Sequence, residues 1–215
     1  VAGRIPAPEG QNARRAVFSP DGKTIYLVAG TDSTALPPAR LHVADAASRS
    51  VVGAIDLPSN VSLDDLAATP DGGLLVGAGG GFLHSIDVRS GTYGGRVLVA
   101  RPASDPAGPR SANFRRLAMD PEGARVYAAT VNDIAVDRHS IGGFDVQSLD
   151  LVDQIFVREP PVTGLPLLKI SPDGRELLYA TQLGTVVQIF DLPSGIEVGA
   201  IPVEASFRLT ELAVA

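Results

Sequence analysis

Four tetrapeptides of one design recur at nearly constant spacing, and that recurrence constrains the fold more than any other feature. They are Ser19-Pro20-Asp21-Gly22, Thr69-Pro70-Asp71-Gly72, Asp120-Pro121-Glu122-Gly123 and Ser171-Pro172-Asp173-Gly174, spaced by 50, 51 and 51 residues. Each suits a tight hairpin turn. Proline presets φ, the acidic side chain accepts local hydrogen bonds, and glycine takes a positive φ without steric cost. A fixed period of this length marks an architecture built by repeating one supersecondary unit.

Short apolar and β-branched runs around each turn read as four strands per unit. The first precedes the turn, as in Ala16-Val17-Phe18, and the second follows it, as in Ile25-Tyr26-Leu27-Val28. The third ends in an aspartate in every unit: Asp45, Asp87, Asp145 and Asp191. The fourth follows a short turn, as in Val51-Val52-Gly53-Ala54-Ile55. In the second unit Gly91-Thr92-Tyr93-Gly94-Gly95 reads as that turn, with the strand beginning at Gly95. With 45% hydrophobic residues, 23 glycines and 17 prolines in 215 residues, the chain is globular and rich in turns. The expected fold is all-β: a propeller of four-stranded antiparallel blades. The blades fall at about 13–58, 64–101, 115–158 and 166–204, within a single domain, or a portion of one, spanning 1–215.

At these residues the chain resembles the YVTN-type, WD40-like propeller repeats, whose consensus runs SPDG, a hydrophobic-YVA strand, a strand closing in Asp-x-x-Thr-Gly, and a final Val-x-x-Ile strand. Asp191-Leu192-Pro193-Ser194-Gly195 and Asp87-Val88-Arg89-Ser90-Gly91 carry the second turn of that pattern, whereas the turns after Asp45 and Asp145 lack its glycine. The resemblance implies a fold. It is compatible with binding, structural and enzymatic roles, and it implies a periplasmic or extracellular setting. The phase of the repeat places a stray outer strand at 1–6 and a stray inner strand at 209–215. The expectation is that further propeller blades, or a second copy, meet the open ends.

The net charge of −6 comes with no basic block, which argues against nucleic-acid binding, and no apolar run has the length to insert in a membrane as a helix. The absence of cysteine excludes disulfides, thiolate catalysis and cysteine-ligated metal. No cofactor is expected. No Gly-x-Ser-x-Gly elbow is present, and Gly79-Gly80-Gly81 lacks the lysine and helix of a phosphate loop. Those three glycines read as a short loop requiring positive φ.

Candidate site residues come from position in the repeat. Four residues before each turn stand Arg15, Asp65, Arg116 and Leu167, with Glu211 taking that place near the end of the chain. Neighbouring blades thus present alternating charge around a channel mouth. That ring either binds an anionic or zwitterionic ligand or pairs blade with blade, and the ion-pair reading is preferred. Asp133, Asp137 and His139 cluster in one long loop with oxygen and imidazole donors for a divalent cation, in no standard metal-site spacing. A solvated polar loop is the plainer account of them. His42 and His84 share one strand position, and the four strand-end aspartates read as turn caps.

Loops at 30–39, 56–65, 101–116, 130–140 and 158–166 share the face opposite the Pro-Asp-Gly turns, where binding usually resides on a rigid scaffold. The leading expectation is a non-catalytic scaffold that binds a protein or small-molecule ligand through that face. Two alternatives come with the resemblance: a lactonase-like hydrolase of a lactone or sugar acid, and a propeller subunit of a quinone- or haem-linked dehydrogenase.

Overall fold

The computed structural model describes Ile5, residues 12–30, 40–98, 113–131, 139–157 and 165–204, and Leu212. These residues are all-β, with no helix among them. Sixteen strands form four four-stranded antiparallel sheets, each taken up in chain order. The first blade holds β1 (Asn12–Phe18), β2 (Thr24–Gly30), β3 (Arg40–Asp45) and β4 (Ser50–Asp56); the second holds β5 (Asp65–Ala68), β6 (Leu74–Gly79), β7 (Phe82–Asp87) and β8 (Thr92–Leu98). The third comprises β9 (Asn113–Met119), β10 (Arg125–Val131), β11 (His139–Asp145) and β12 (Leu151–Val157); the fourth comprises β13 (Pro166–Ile170), β14 (Glu176–Thr181), β15 (Val186–Asp191) and β16 (Ile196–Pro202). The chain is a β-propeller assembled from these blades.

Why the second strand of a blade reads as an unbroken apolar run is visible in β2. Strand alternation sends Ile25 and Leu27 to one face of the sheet and Tyr26 and Val28 to the other, and all four are buried. Tyr26 and Val28 pack with Leu66, Leu75 and Ile86 of the second blade. Ile25 and Leu27 pack with Ala44 and Ile5. Equivalent apolar layers join the second blade to the third and the third to the fourth. Outermost strands have no such second neighbour, and β4 and β16 are exposed along most of their length.

Innermost strands meet in the order β1, β5, β9, β13, and among the described residues β13 makes no comparable contact with β1. The described blades therefore form an arc. Its last face carries Leu167, Ala180 and Val187, with Leu178, Val203 and Leu212 against them. Apart from Ile5 and Leu212, the two stray strands expected from the sequence lie outside the described residues.

The turns explain their own sequence. Ser19 Oγ donates to Asp21 Oδ1 at 2.6 Å and accepts the Thr24 N–H at 2.9 Å, and the same pair forms between Thr69 and Asp71 and between Ser171 and Asp173. Neighbouring turns also nest. A Cβ on Gly72, Gly123 or Gly174 would meet the proline of the preceding blade's turn, at 3.5, 2.6 and 3.5 Å respectively.

One expectation needs correction. Of that stretch only Gly91 belongs to the turn, and β8 already begins at Thr92. The glycines that suggested a turn sit at a β-bulge, between the pairs Ser85↔Gly95 and Ile86↔Tyr93. The same bulge recurs at the same place in all four blades, opposite Val43/Ala44, Gly143/Phe144 and Ile189/Phe190 in the other three.

Candidate functional site

The register brings the candidate ring to one level. Arg15 pairs with Val28, Asp65 with Ala78, Arg116 with Ala129 and Leu167 with Ala180, each at the corresponding point of its innermost strand. An innermost strand has one edge without a partner strand in its own sheet. Unpaired backbone groups at such an edge need other partners.

Asp65 supplies one. Its Oδ2 accepts the backbone N–H of Leu117, on the third blade, at 2.9 Å. Its Oδ1 lies 2.7 Å from Nε of Arg15, on the first blade. That Nε–H has no aligned acceptor, so the contact is ionic more than directional. A single carboxylate from the second blade thus engages both neighbours. Burial pushes the Asp65 carboxyl above its ordinary value, against the favourable charges of Arg15 and Arg116 and the hydrogen bond from Leu117. Leu167 is buried among apolar neighbours and carries no charge into the ring. Glu211 lies outside the described residues.

The metal candidates lie where little is described: Asp133 and Asp137 are outside the described residues, and His139 is placed only as the first residue of β11. Among the described residues no group of three or more metal-binding side chains assembles. His84 and His42 are buried, and burial lowers the pKa of both. His84 Nδ1 is 3.0 Å from the Tyr93 hydroxyl and Nε2 is 3.3 Å from the Gly79 carbonyl. A carbonyl can only accept, so Nε2 carries the hydrogen and Nδ1 accepts from Tyr93. This is a satisfied interior histidine.

Of the loops named from sequence, only 56–65 is described throughout. It folds inward: Leu57, Val61 and Leu63 join the core between the first two blades. Its close approach explains Gly79, where a Cβ would collide with the Ser62 carbonyl. Gly80 and Gly81 adopt the positive φ expected of them. The strand-end aspartates cap their turns, with Asp45, Asp87 and Asp145 Oδ1 and Asp191 Oδ2 accepting from the N–H of Ser48, Ser90, Ser148 and Ser194. Sequence reasoning missed the Leu117 N–H because a backbone donor has no residue signature.

No family model and no curated protein matches the chain. Many solved structures do. One, a chain from a structure titled "Crystal Structure of Mitotic Checkpoint Complex", superposes with a TM-score of 0.60 at 17% identity. The match covers 94% of this chain and 58% of that one, so the chain spans less than two thirds of the neighbour's length.

Proposed function

We propose that this chain is a non-catalytic propeller scaffold of YVTN type that binds a protein or ligand through its loop-bearing face. The observation that carries the reading is the state of Asp65. Asp65 is buried, with Oδ2 accepting the Leu117 N–H of the third blade and Oδ1 2.7 Å from Arg15 Nε of the first, which supports a tie between blades. The ring residues Arg15, Asp65 and Arg116 then act as inter-blade ties and not as a lactone-binding site. The neighbour's membership of a multiprotein complex is in keeping with this reading. Further blades or a second copy at the open ends of the arc belong to the same reading, with 1–215 as one propeller unit or part of one.

A screen of lactone and aryl-ester hydrolysis with the intact chain tests the proposal. The expected result is no turnover above the uncatalysed rate. A hydrolysis rate that disappears in a folded Asp65→Asn variant would replace the scaffold reading with the hydrolase one.

A further inference from the structure

Features shared by all four blades are accounted for by the scaffold, whereas a feature confined to one joint is not. Between β12 and β16, at the outer rim, lies a crevice of about 600 Å³. The buried Phe190 ring contributes to its lining, together with Phe156 and Ile196, which are 57% and 62% exposed. The carboxylates of Asp153 and Glu197 line the same space, and no lining residue is cationic. Arg125 influences Asp153 from its own sheet and is not part of the lining.

The register shows how far this joint departs from the repeat. Asp153 stands opposite Gly143, and the corresponding residues in the other blades are Gly53, Gly95 and Gly199. Glu197 takes the place held elsewhere by Val51, Tyr93 and Leu151. Neither carboxylate is required by the blade, since three other blades lack each. Glu197 is nevertheless positioned: its Oε2 accepts from Nε2 of the buried Gln188 at 3.2 Å. Asp153 Oδ1 accepts the Gln154 N–H at 2.8 Å.

We propose that this crevice docks an extended peptide segment of a partner protein in which basic and apolar residues alternate. Among the described residues β16 is the last strand of its sheet, and its outer edge has no partner strand there for main-chain pairing. Ile196 and Glu197 lie on opposite faces of it, and the β-bulge falls at Val198, between the pairs Phe190↔Glu197 and Ile189↔Gly199. A residue directly opposite on an added strand shares the face of its partner, so an apolar residue opposite Ile196 and a basic one opposite Glu197 is the complementary order. Asp153, across the crevice on β12, supplies a second carboxylate for the cation. The site is distinct from the loop face and does not depend on the scaffold reading.

The test is a fluorescence-anisotropy titration of the full chain with a labelled hexapeptide alternating arginine and leucine, and with its glutamate–leucine counterpart, at physiological ionic strength. The arginine peptide should bind, and the glutamate peptide should bind at least about tenfold more weakly. Asp153→Asn with Glu197→Gln should weaken the arginine peptide by about fivefold or more, and exposed-site Ile196→Lys should do the same. Glu122→Gln with Glu176→Gln, an equal loss of charge away from the crevice, should leave affinity unchanged. Absence of binding, equal binding of both peptides, or equal weakening by the two charge-removing pairs would overturn the proposal; the last would mean general attraction to an acidic protein.

Discussion

A buried carboxylate is unfavourable unless its charge and lone pairs are taken up. At Asp65 two blades share that task, one through a guanidinium and one through a backbone N–H. Asp65→Ala strands both, leaving the Leu117 N–H without its acceptor and Arg15 two-thirds buried without its counter-ion. The expected loss is about 2–3 kcal/mol, which thermal unfolding of the variant would measure; an unchanged midpoint would remove the tie. Backbone strain gives a second residue-scale prediction. Arg49 and Leu149 adopt φ of 57° and 60° at the turn position where Gly91 and Gly195 stand at 66°. Arg49 is exposed, so Arg49→Gly should stabilise by about 0.5–1 kcal/mol, the relief of a left-handed conformation less the entropy that glycine adds to the unfolded chain. Leu149 has the same φ but is buried in the core between the second and third blades. Leu149→Gly should therefore destabilise, by about 2 kcal/mol or more, because lost burial exceeds the relieved strain. Denaturant titration of the two variants should give opposite signs.

The turn, as an element, both reverses the chain and locks one blade to the next. Gly123 has a φ of 74°, and a Cβ there would lie 2.6 Å from Pro70 Cδ. Gly22 has nearly the same φ, and nothing among the described residues lies within 4 Å of its Cβ position. Gly22→Ala should thus cost about 1–2 kcal/mol, from conformation alone, and Gly123→Ala about 1–3 kcal/mol more, from overpacking against the proline. Paired unfolding curves check this, and equal losses would mean that the turns do not lock. These elements were legible in the sequence because their causes are local: proline and glycine at fixed offsets, and apolar runs between them. β8 was misread because a bulged strand rich in glycine imitates a turn. The pairing of Arg15 with Asp65 followed from repeat phase. The rim crevice did not, since it depends on β12 and β16 converging from separate blades, and no linear pattern records that distance.

For the whole molecule, the same hydrogen bonds that define the repeat set its response to acid. Asp21, Asp71 and Asp173 are held below the ordinary carboxylate value, first by the hydroxyl of the turn's Ser or Thr and next by a backbone N–H. Asp45, Asp87 and Asp145 are lowered by bonds from their turn serines. A carboxyl with a depressed folded pKa contributes stability that is present above its unfolded value, near 3.8, and is lost as pH falls through the folded one. The histidines act earlier. His42 and His84 are lowered from 6.5 by burial, so the unfolded chain takes up protons first and stability begins to fall below that pH. Asp65 opposes both trends, because its raised pKa lets the native state bind a proton before the unfolded chain does. Six depressed aspartates outnumber it. The expected profile is a thermal midpoint that declines modestly as pH falls from about 6.5 and steeply below about 4. His84→Gln, which retains a donor and an acceptor at a position where Gln188 already serves the fourth blade, should reduce the first decline, leaving His42's share, and leave the second intact. A midpoint independent of pH between 7 and 5 in the parent chain would show that the interior histidines do not titrate against folding. A chain that remained folded with an unshifted midpoint at pH 3 would show the same of the turn caps.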